Sequence, residues 1–244
     1  MTDRRRILVA GGRSRIGRAV VERFLRLGWE VETTTRREDD HDRLRAEVAP
    51  SSPNDLEIRT LDLSEASSIQ AFLQGREDRA LDALVVTASP FDEVAFENAT
   101  MDDYLGHAAT QVGGPATLIS GLARSLRGSD LEGGAAVVLF GDVHAIHRPR
   151  PRATPYLAAK VAVEGLVGII GRELAPVRVF GISPGLVGDV PAWSDDDLAA
   201  YVGKLPLARA GTPADAAAAV AAAILELRYV TGVVIPLDGG RHLV

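Results

Sequence analysis

Between residues 7 and 17 the chain reads Ile7-Leu-Val-Ala-Gly-Gly-Arg-Ser-Arg-Ile-Gly17, and a helical apolar pattern follows over 20–25. The short apolar run predicts a buried strand, and the glycines allow a tight turn from that strand into the helix. Free N–H groups and the dipole at the start of such a helix favour a pyrophosphate. We therefore predict a dinucleotide-binding strand–turn–helix unit; a purely structural turn is the alternative.

Further short apolar runs alternate with longer helical stretches along the rest of the chain. After 7–10 the runs cover 30–34, 56–61, 81–87, 135–140, 177–182 and 233–237. Strands that alternate with helices indicate βαβ units and a parallel sheet covered on both faces. We predict an α/β fold in which residues 1–244 form a single-domain, doubly wound parallel sheet (Rossmann fold) of about seven strands.

Capping patterns support this arrangement of helices. Thr212-Pro-Ala-Asp215 combines an N-cap, a proline at the first helical position and an acid in the first turn, so we expect a helix that runs to Leu227. Ser64-Glu65 is expected to open another helix in the same way. The segments 144–155 and 186–197 lack regular periodicity, and both flank the expected site.

Composition limits the classes of function. The chain has 244 residues, a net charge of -6 and no cysteine, which argues against nucleic-acid binding and excludes thiolate chemistry. No stretch has the length and apolarity of a membrane span or a signal peptide. We expect a cytoplasmic protein with a small-molecule substrate and with no nucleic-acid or membrane partner.

The end of the second predicted strand indicates which dinucleotide binds. NAD-binding proteins usually carry an acid there, whereas this chain reads Thr33-Thr-Thr-Arg-Arg37 and adds Arg13 in the glycine turn. Several guanidinium groups suit a 2′-phosphate, so we predict NADP(H) as the cofactor, held in part by Arg36 and Arg37. The alternative is that one or more of these arginines is a solvated surface charge.

Tyr156 and Lys160 predict the chemistry. They lie four residues apart on one helical face, where the ammonium is expected to lower the pKa of the phenol and make it a usable proton donor. Asp142 precedes them and is the third candidate catalytic residue. A turn or cap role after Gly141 is the alternative for Asp142.

The order of motifs resembles the short-chain dehydrogenase/reductase family over essentially the whole chain. The resemblance rests on the glycine turn, Asp62-Leu63, Thr87-Ala88-Ser89, Tyr156-x-x-x-Lys160, Ser183-Pro184-Gly185, Thr231-Gly232 and Asp238-Gly239-Gly240. It implies, together with the arginines above, a cofactor site formed by Gly11, Arg13, Ser14, Arg15, Ile16, Gly17, Arg36, Arg37, Asp62, Leu63, Ala88, Ser89, Tyr156, Lys160, Pro184, Gly185, Leu186 and Val187. It also implies a homotetramer.

Several departures from the family pattern resemble one branch of it, the pteridine reductases and dihydromonapterin reductases. Arg15 replaces the middle glycine of the turn, Phe91 follows Ala-Ser, and Asp142 stands where a serine is usual. In that branch the aromatic residue stacks on the pterin, so the predicted substrate contacts are Arg15, Phe91, Asp142 and Tyr156. Gln111 replaces an asparagine that, in many members, maintains a proton-relay water.

The resemblance implies an NADPH-dependent oxidoreductase that reduces a pterin or a similar C=N or conjugated heterocycle by hydride transfer. An NADPH-dependent carbonyl or alkene reductase is the alternative within the family, and a non-catalytic NADP-binding sensor is the alternative outside it. Phe91 has an alternative role as a cover for the end of the sheet.

Three other features complete the sequence-based predictions. Arg148, Arg150 and Arg152 alternate with prolines in a stiff loop, and a surface or subunit contact is preferred over an anion-binding role. His144 and His147 lack accompanying ligands, so no metal site is predicted. Arg241 resembles a position that reaches a neighbouring subunit's site in tetrameric relatives.

Overall fold

Strands of one parallel sheet form the centre of the computed structural model, which describes residues 4–48, 55–74, 76, 79–188, 190 and 193–244. The strands in this described part are β1 Arg6–Ala10, β2 Glu30–Thr35, β3 Leu56–Thr60, β4 Ala83–Val86, β5 Ala136–Phe140, β6 Arg178–Pro184 and β7 Val233–Leu237. Their order is β3-β2-β1-β4-β5-β6-β7. The predicted seven-stranded sheet is confirmed, with strand ends that shift by at most two residues, as from 81 to 83 at the start of β4.

Helices connect the successive strands of this sheet. The described helices are α1 Arg15–Arg26, α2 His41–Val48, α3 Ala66–Gln74, α4 Met101–Ala108, α5 Gly114–Arg127, α6 Val143–Ile146, α7 Thr154–Glu173, α8 Asp195–Val202 and α9 Pro213–Leu225. A π-helical turn, Ala109–Gly113, joins α4 to α5 without a break in the chain's helical course. Such turns are frequent at functional sites.

Helix α9 begins as the sequence predicts. The Thr212 hydroxyl accepts from the backbone N–H of Asp215, whose carboxylate accepts from the Thr212 N–H, so both halves of a capping box are present. The helix ends at Leu225, two residues before the predicted Leu227. The Ser64 hydroxyl instead donates to Asp62, so the predicted cap at Ser64-Glu65 is wrong and α3 begins at Ala66.

The segments predicted to be irregular contain short helices. Helix α6 occupies the start of 144–155, and the loop after it runs to Ala153, directly before α7. In the segment 186–197, residues 189, 191 and 192 lie outside the described part, and α8 begins at Asp195.

Both faces of the sheet are buried. Along β1, Ile7 and Val9 pack with α1 and α9 in one core cluster, whereas Leu8 and Ala10 belong to a second cluster with α3, α5 and α7. Because side chains alternate across a strand, a continuous apolar run such as Ile7-Leu-Val-Ala10 can supply both layers. The core therefore fixes the register of the sheet.

The order of strands changes direction between β1 and β4. The chain moves outward from β1 to β2 and β3, and then returns to β4 on the other side of β1. In open parallel sheets the connections after two such strands diverge, and a crevice opens at their carboxyl ends. The glycine turn after β1 and the segment after β4 therefore face each other across one crevice.

The expectation that no stretch has the length and apolarity of a membrane span is wrong for helix α7, which is long and apolar enough when length and composition alone are considered. It packs against β5, β6 and β7, and 44% of its most apolar window is buried inside the protein. Core helices of soluble proteins pass the same test. The helix positions Tyr156 and Lys160 in its first two turns.

Candidate active site

Two adjoining cavities occupy the crevice between β1 and β4 and share Arg13, Ser14 and Ser89. The larger has a volume of about 470 Å³. Between them they are lined by most of the predicted site residues, namely Gly11, Arg13, Ser14, Arg15, Ile16, Arg36, Asp62, Leu63, Ala88, Ser89, Asp142, Tyr156, Lys160, Pro184, Gly185 and Val187. The structure therefore brings the two ends of the predicted site into one continuous groove.

The glycine turn lies directly against the segment that follows β4. Gly11 has a φ of 104°, and a Cβ at this position would lie 2.7 Å from the backbone nitrogen of Ala88. A Cβ on Gly17 would lie 2.3 Å from the carbonyl oxygen of Gly11. Neither position accepts a side chain without displacing backbone. Gly17 itself does not line the cavities, because it is buried behind the turn.

Hydroxyl groups fix the start of α1. Ser14 is the N-cap, and its Oγ accepts from the Gly17 N–H at 2.9 Å and donates to Thr87 Oγ1 at 3.1 Å. Thr87 in turn donates to the Gly11 carbonyl oxygen at 2.9 Å. The glycine turn, the helix and the end of β4 are therefore held together, with the positive end of the α1 dipole directed at the crevice.

The three arginines predicted to bind the cofactor lie in different surroundings. Arg13 and Arg36 line the smaller cavity, and Arg13 forms an ion pair with Asp40. Arg37 is exposed and lines neither cavity, so its contact with the cofactor stays a prediction. Because the backbone here is extended, consecutive side chains point to opposite sides, and only one of the pair can face the groove.

Asp62 and Leu63 line the same cavity, beyond Arg36. One carboxylate oxygen of Asp62 accepts from the backbone N–H of Ser64 at 2.9 Å and from its hydroxyl at 2.6 Å. The side chain of Asp62 is therefore held in place by its own turn. Leu186 lies outside both cavities, and its carbonyl oxygen accepts from the Gly211 N–H.

Asp142 and Tyr156 meet at the end of β5. The phenol of Tyr156 donates to Asp142 Oδ2 at 3.0 Å, and both side chains are buried. Asp142 Oδ1 accepts from the backbone N–H of His144 and caps α6. The alternative cap role is thus correct. It coexists with the contact to Tyr156, because one carboxylate oxygen accepts from the backbone of α6 and the other accepts from the phenol.

The pKa of Tyr156 is raised well above its ordinary value. Burial is the main cause, followed by the negative charge of Asp142 and the hydrogen bond to it, while Arg150 and Ser89 act in the opposite direction. This net direction is opposite to the lowering of the phenol's pKa that is expected from Lys160. The phenol is therefore held in its protonated form and is a weaker acid than an exposed tyrosine.

Lys160 points below Tyr156 toward β5. Its Nζ donates to the carbonyl oxygen of Phe140 at 2.7 Å and lies 5.6 Å from the centre of the Tyr156 ring. Burial lowers its pKa to about 8, against the opposing charges of Asp142 and Glu164. Lys160 therefore carries its charge at a cost in solvation.

Phe91 packs against Tyr156 and is partly exposed to solvent. Its ring meets that of Tyr156 edge to face, with centroids 4.9 Å apart, and 44% of the residue is exposed. The residue does not line either cavity. Its contact with Tyr156 places it beside the Tyr156 end of the groove.

Arg150 contacts both Asp142 and Phe91. Its Nη2 donates to Asp142 Oδ2 at 3.1 Å, and its guanidinium carbon lies 5.2 Å from the Phe91 ring centre. Arg150 lies at the surface, as the preferred interpretation of the loop expects, and its side chain also reaches the site. The sequence reveals the basic loop but not the direction of its side chains.

A polar chain behind Ser89 contains a residue that the sequence analysis missed. The Ser89 hydroxyl donates to Gln111 Oε1 at 3.1 Å, and Gln111 Nε2 lies 3.0 Å from Nδ1 of His107. His107 is buried beside Tyr156, and burial lowers its pKa. The spacing of four residues between His107 and Gln111 on a helix was the available signal.

A second polar group lies beyond Asp142. His144 Nδ1 lies 3.0 Å from the carbonyl oxygen of Arg148, and its other ring nitrogen faces the Tyr201 hydroxyl of α8. Arg241 packs over the Tyr201 ring. Within the described residues no group of three or more histidine, cysteine, aspartate or glutamate side chains could hold a metal ion.

Comparisons with known proteins agree with this arrangement. A family profile described as Enoyl-(Acyl carrier protein) reductase matches residues 10–242. Glucose 1-dehydrogenase of Gluconobacter oxydans is 27% identical over 98% of this chain and 92% of its own. The chain belongs to the short-chain dehydrogenase/reductase family. The protein is therefore an oxidoreductase of a family that uses nicotinamide cofactors.

Two further members show the breadth of this family. The 3-oxoacyl-[acyl-carrier-protein] reductase of Vibrio harveyi is 26% identical, with 97% of each chain covered. A short-chain dehydrogenase/reductase from Serratia marcescens has the same fold, with a TM-score of 0.84 and 24% identity over 98% of each chain. The profile match over residues 10–242 shows the family, whereas the pteridine reductase branch is a narrower proposal.

The buried charge of Lys160 predicts a pH-dependent stability. Its pKa is about 8 in the folded protein and ordinarily 10.5, so the unfolded chain binds the proton more tightly between these values. Stability should therefore rise with pH across this window, and Lys160→Met should lack that rise. We expect the free energy of unfolding of the wild type to gain about 2–3 kcal/mol on the variant between pH 7 and pH 10.

Denaturant unfolding at both pH values measures this gain. Lys204→Met, which changes an exposed lysine, serves as the control and should follow the wild type. A constant difference between wild type and Lys160→Met across the window would contradict the buried-charge account.

Proposed function

We propose that this protein is an NADPH-dependent reductase of a flat heterocycle with a C=N or conjugated double bond, of the pterin type. The observation that carries the proposal is the contact of the Tyr156 phenol with the buried carboxylate of Asp142. A carboxyl group at this position can accept from ring N–H groups and pass a proton towards a ring nitrogen, a task for which a serine hydroxyl is less suited.

The residues of the crevice fit a nicotinamide dinucleotide. The backbone of the glycine turn and the start of α1 would hold the pyrophosphate, because no Cβ at Gly11 separates the turn from its surroundings. Asp62 and Leu63 would border the adenine, and Lys160 the nicotinamide ribose. When bound, the reduced nicotinamide supplies a hydride.

Support for NADP(H) rather than NAD(H) comes from the smaller cavity. Arg36 lines it next to Thr35, at the end of β2, where an acid would bind the ribose hydroxyls of NAD. Arg13 lines the same cavity and is oriented by Asp40. Two guanidinium groups beside the expected ribose favour a 2′-phosphate.

Support for a heterocyclic substrate comes from the other end of the groove. A flat ring would stack on Phe91 and place its ring N–H groups near the carboxylate of Asp142. Arg15 lines the larger cavity and would donate to a ring oxygen. Tyr156 would deliver the proton to the ring nitrogen as the neighbouring carbon accepts the hydride.

We further propose one domain over residues 1–244, a homotetramer and a cytoplasmic location. Support for self-association comes from large apolar side chains that α4 and α7 expose, among them Met101, Leu105 and Ile169. Exposed apolar patches of this kind mark protein interfaces.

A carbonyl reductase is the second candidate. Relatives named as glucose 1-dehydrogenase and 3-oxoacyl-[acyl-carrier-protein] reductase favour it, because both names describe carbonyl or alcohol chemistry. Asp142 would then serve as a polar anchor for Tyr156.

Substrate turnover separates the two candidates. We expect purified protein with NADPH to reduce dihydrobiopterin, dihydromonapterin or dihydrofolate, and Asp142→Ser to lose this activity by at least about tenfold, which corresponds to about 1.4 kcal/mol in the barrier. The same variant should retain or gain any ketone reduction. Good ketone reduction by the wild type without turnover of these pterins or folates would contradict the first candidate.

Substitutions of Arg36 and Arg37 test whether the protein binds NADP(H) in preference to NAD(H). Arg36→Ala should raise the dissociation constant of NADPH about tenfold or more, since a charge-assisted hydrogen bond contributes about 1.5–3 kcal/mol. NADH binding should change little. Arg37→Ala is the matched control, because its side chain lies outside the cavities, and it should bind both cofactors as the wild type does. Equal effects of the two substitutions would contradict the assignment.

A further inference from the structure

Arg150 is held in a way that resembles ligand binding. One guanidinium nitrogen, Nη2, donates to Asp142 Oδ2 at 3.1 Å, and the guanidinium carbon lies 5.2 Å from the centre of the Phe91 ring. The proposed function assigns both of these residues to the substrate. A planar group with N–H donors therefore already occupies the position between them.

The loop that carries Arg150 has an unusual backbone conformation on both sides of this residue. Arg148 and Arg152 have φ angles of 55° and 60°, values that non-glycine residues rarely adopt. The Val94 N–H donates to the Arg152 carbonyl oxygen at 2.9 Å, and His144 contacts that of Arg148. These bonds fix both ends of the loop and leave the Arg150 side chain to reach inward.

We propose that Asp142 and Phe91 form a subsite for the N–C–N edge of a cyclic guanidine or amidine, and that Arg150 occupies this subsite until such a substrate replaces it. The inference rests on the proposed reduction of a heterocycle. A 2-amino-4-oxopyrimidine ring presents in-plane N–H donors like those of a guanidinium, together with a flat face for Phe91. Arg150 is therefore a specificity-determining residue of the site.

Selectivity for a cyclic guanidine follows because its N–H groups replace those of Arg150 as donors to Asp142. The Asp142 carboxylate is buried, so removal of Arg150 without a replacement leaves a charge less well paired, which is unfavourable. A cyclic guanidine restores the pairing, whereas a simple ketone has no N–H to offer. Because 40% of the Arg150 side chain is exposed, it has a route outward into solvent.

Binding of small probes tests this exchange without any turnover. In the presence of NADP, Arg150→Ala should bind guanidinium ion and 2-amino-4-hydroxypyrimidine at least about tenfold more tightly than the wild type, as measured by calorimetry. Sodium chloride at matched concentration controls for ionic strength. Arg152→Ala is the matched loop variant and should behave as the wild type.

Two further variants complete the experiment. The double variant Arg150→Ala, Asp142→Asn should lose the gain, because the carboxylate that binds the probes is absent. Arg150→Gln, which keeps a planar amide, should show a smaller gain in affinity for the probes. It replaces the alanine variant in the experiment if that variant does not fold. Equal or weaker binding by the Arg150 variants would overturn the exchange and make Arg150 a direct substrate ligand or a purely structural one.

The binding result is independent of the proposed reaction. If pterins and folates are not reduced but the probes bind as expected, the exchange stands and the reaction is wrong. If pterins are reduced but the probes bind no better to the variants, only the exchange is wrong.

Discussion

The hydrogen bond from the Tyr156 phenol to the buried carboxylate of Asp142 is the interaction on which the proposed chemistry depends. It joins the start of α7 to the end of β5, so the fold itself holds the two groups together. The carboxylate keeps the proton on the phenol and leaves its second oxygen to cap α6. A serine hydroxyl at this position would carry no charge, and the Tyr156 phenol would then lose its proton more readily.

The rest of the groove follows from the reversal of strand order between β1 and β4. Close approach of the glycine turn to Ala88 places the positive end of α1 beside the cavity that Arg13 and Arg36 line. Anionic parts of a cofactor are therefore favoured at one end of a protein whose net charge is -6. At the other end, the charges of Asp142, Arg150 and Lys160 lie around Tyr156.

The fold and much of the candidate site could be predicted because both depend on local patterns. Strands buried on both faces give continuous apolar runs, and the glycine turn must lie between a strand and a helix. The meeting of Asp142 with Tyr156 follows from the sheet order. The orientation of Arg150 and the divergence of Arg36 from Arg37 depend on loop dihedrals, which leave no periodic pattern. The raised pKa of Tyr156 required its burial and partner to be known.

A crystal structure with NADP and dihydrobiopterin bound tests the central claim most directly. The account predicts the ring between the nicotinamide and Phe91, with a ring N–H or amino group within hydrogen-bond distance of Asp142, and with the guanidinium of Arg150 moved away. A ring bound elsewhere, or bound while Asp142 keeps its contact with Arg150 and makes none with the ligand, would contradict it.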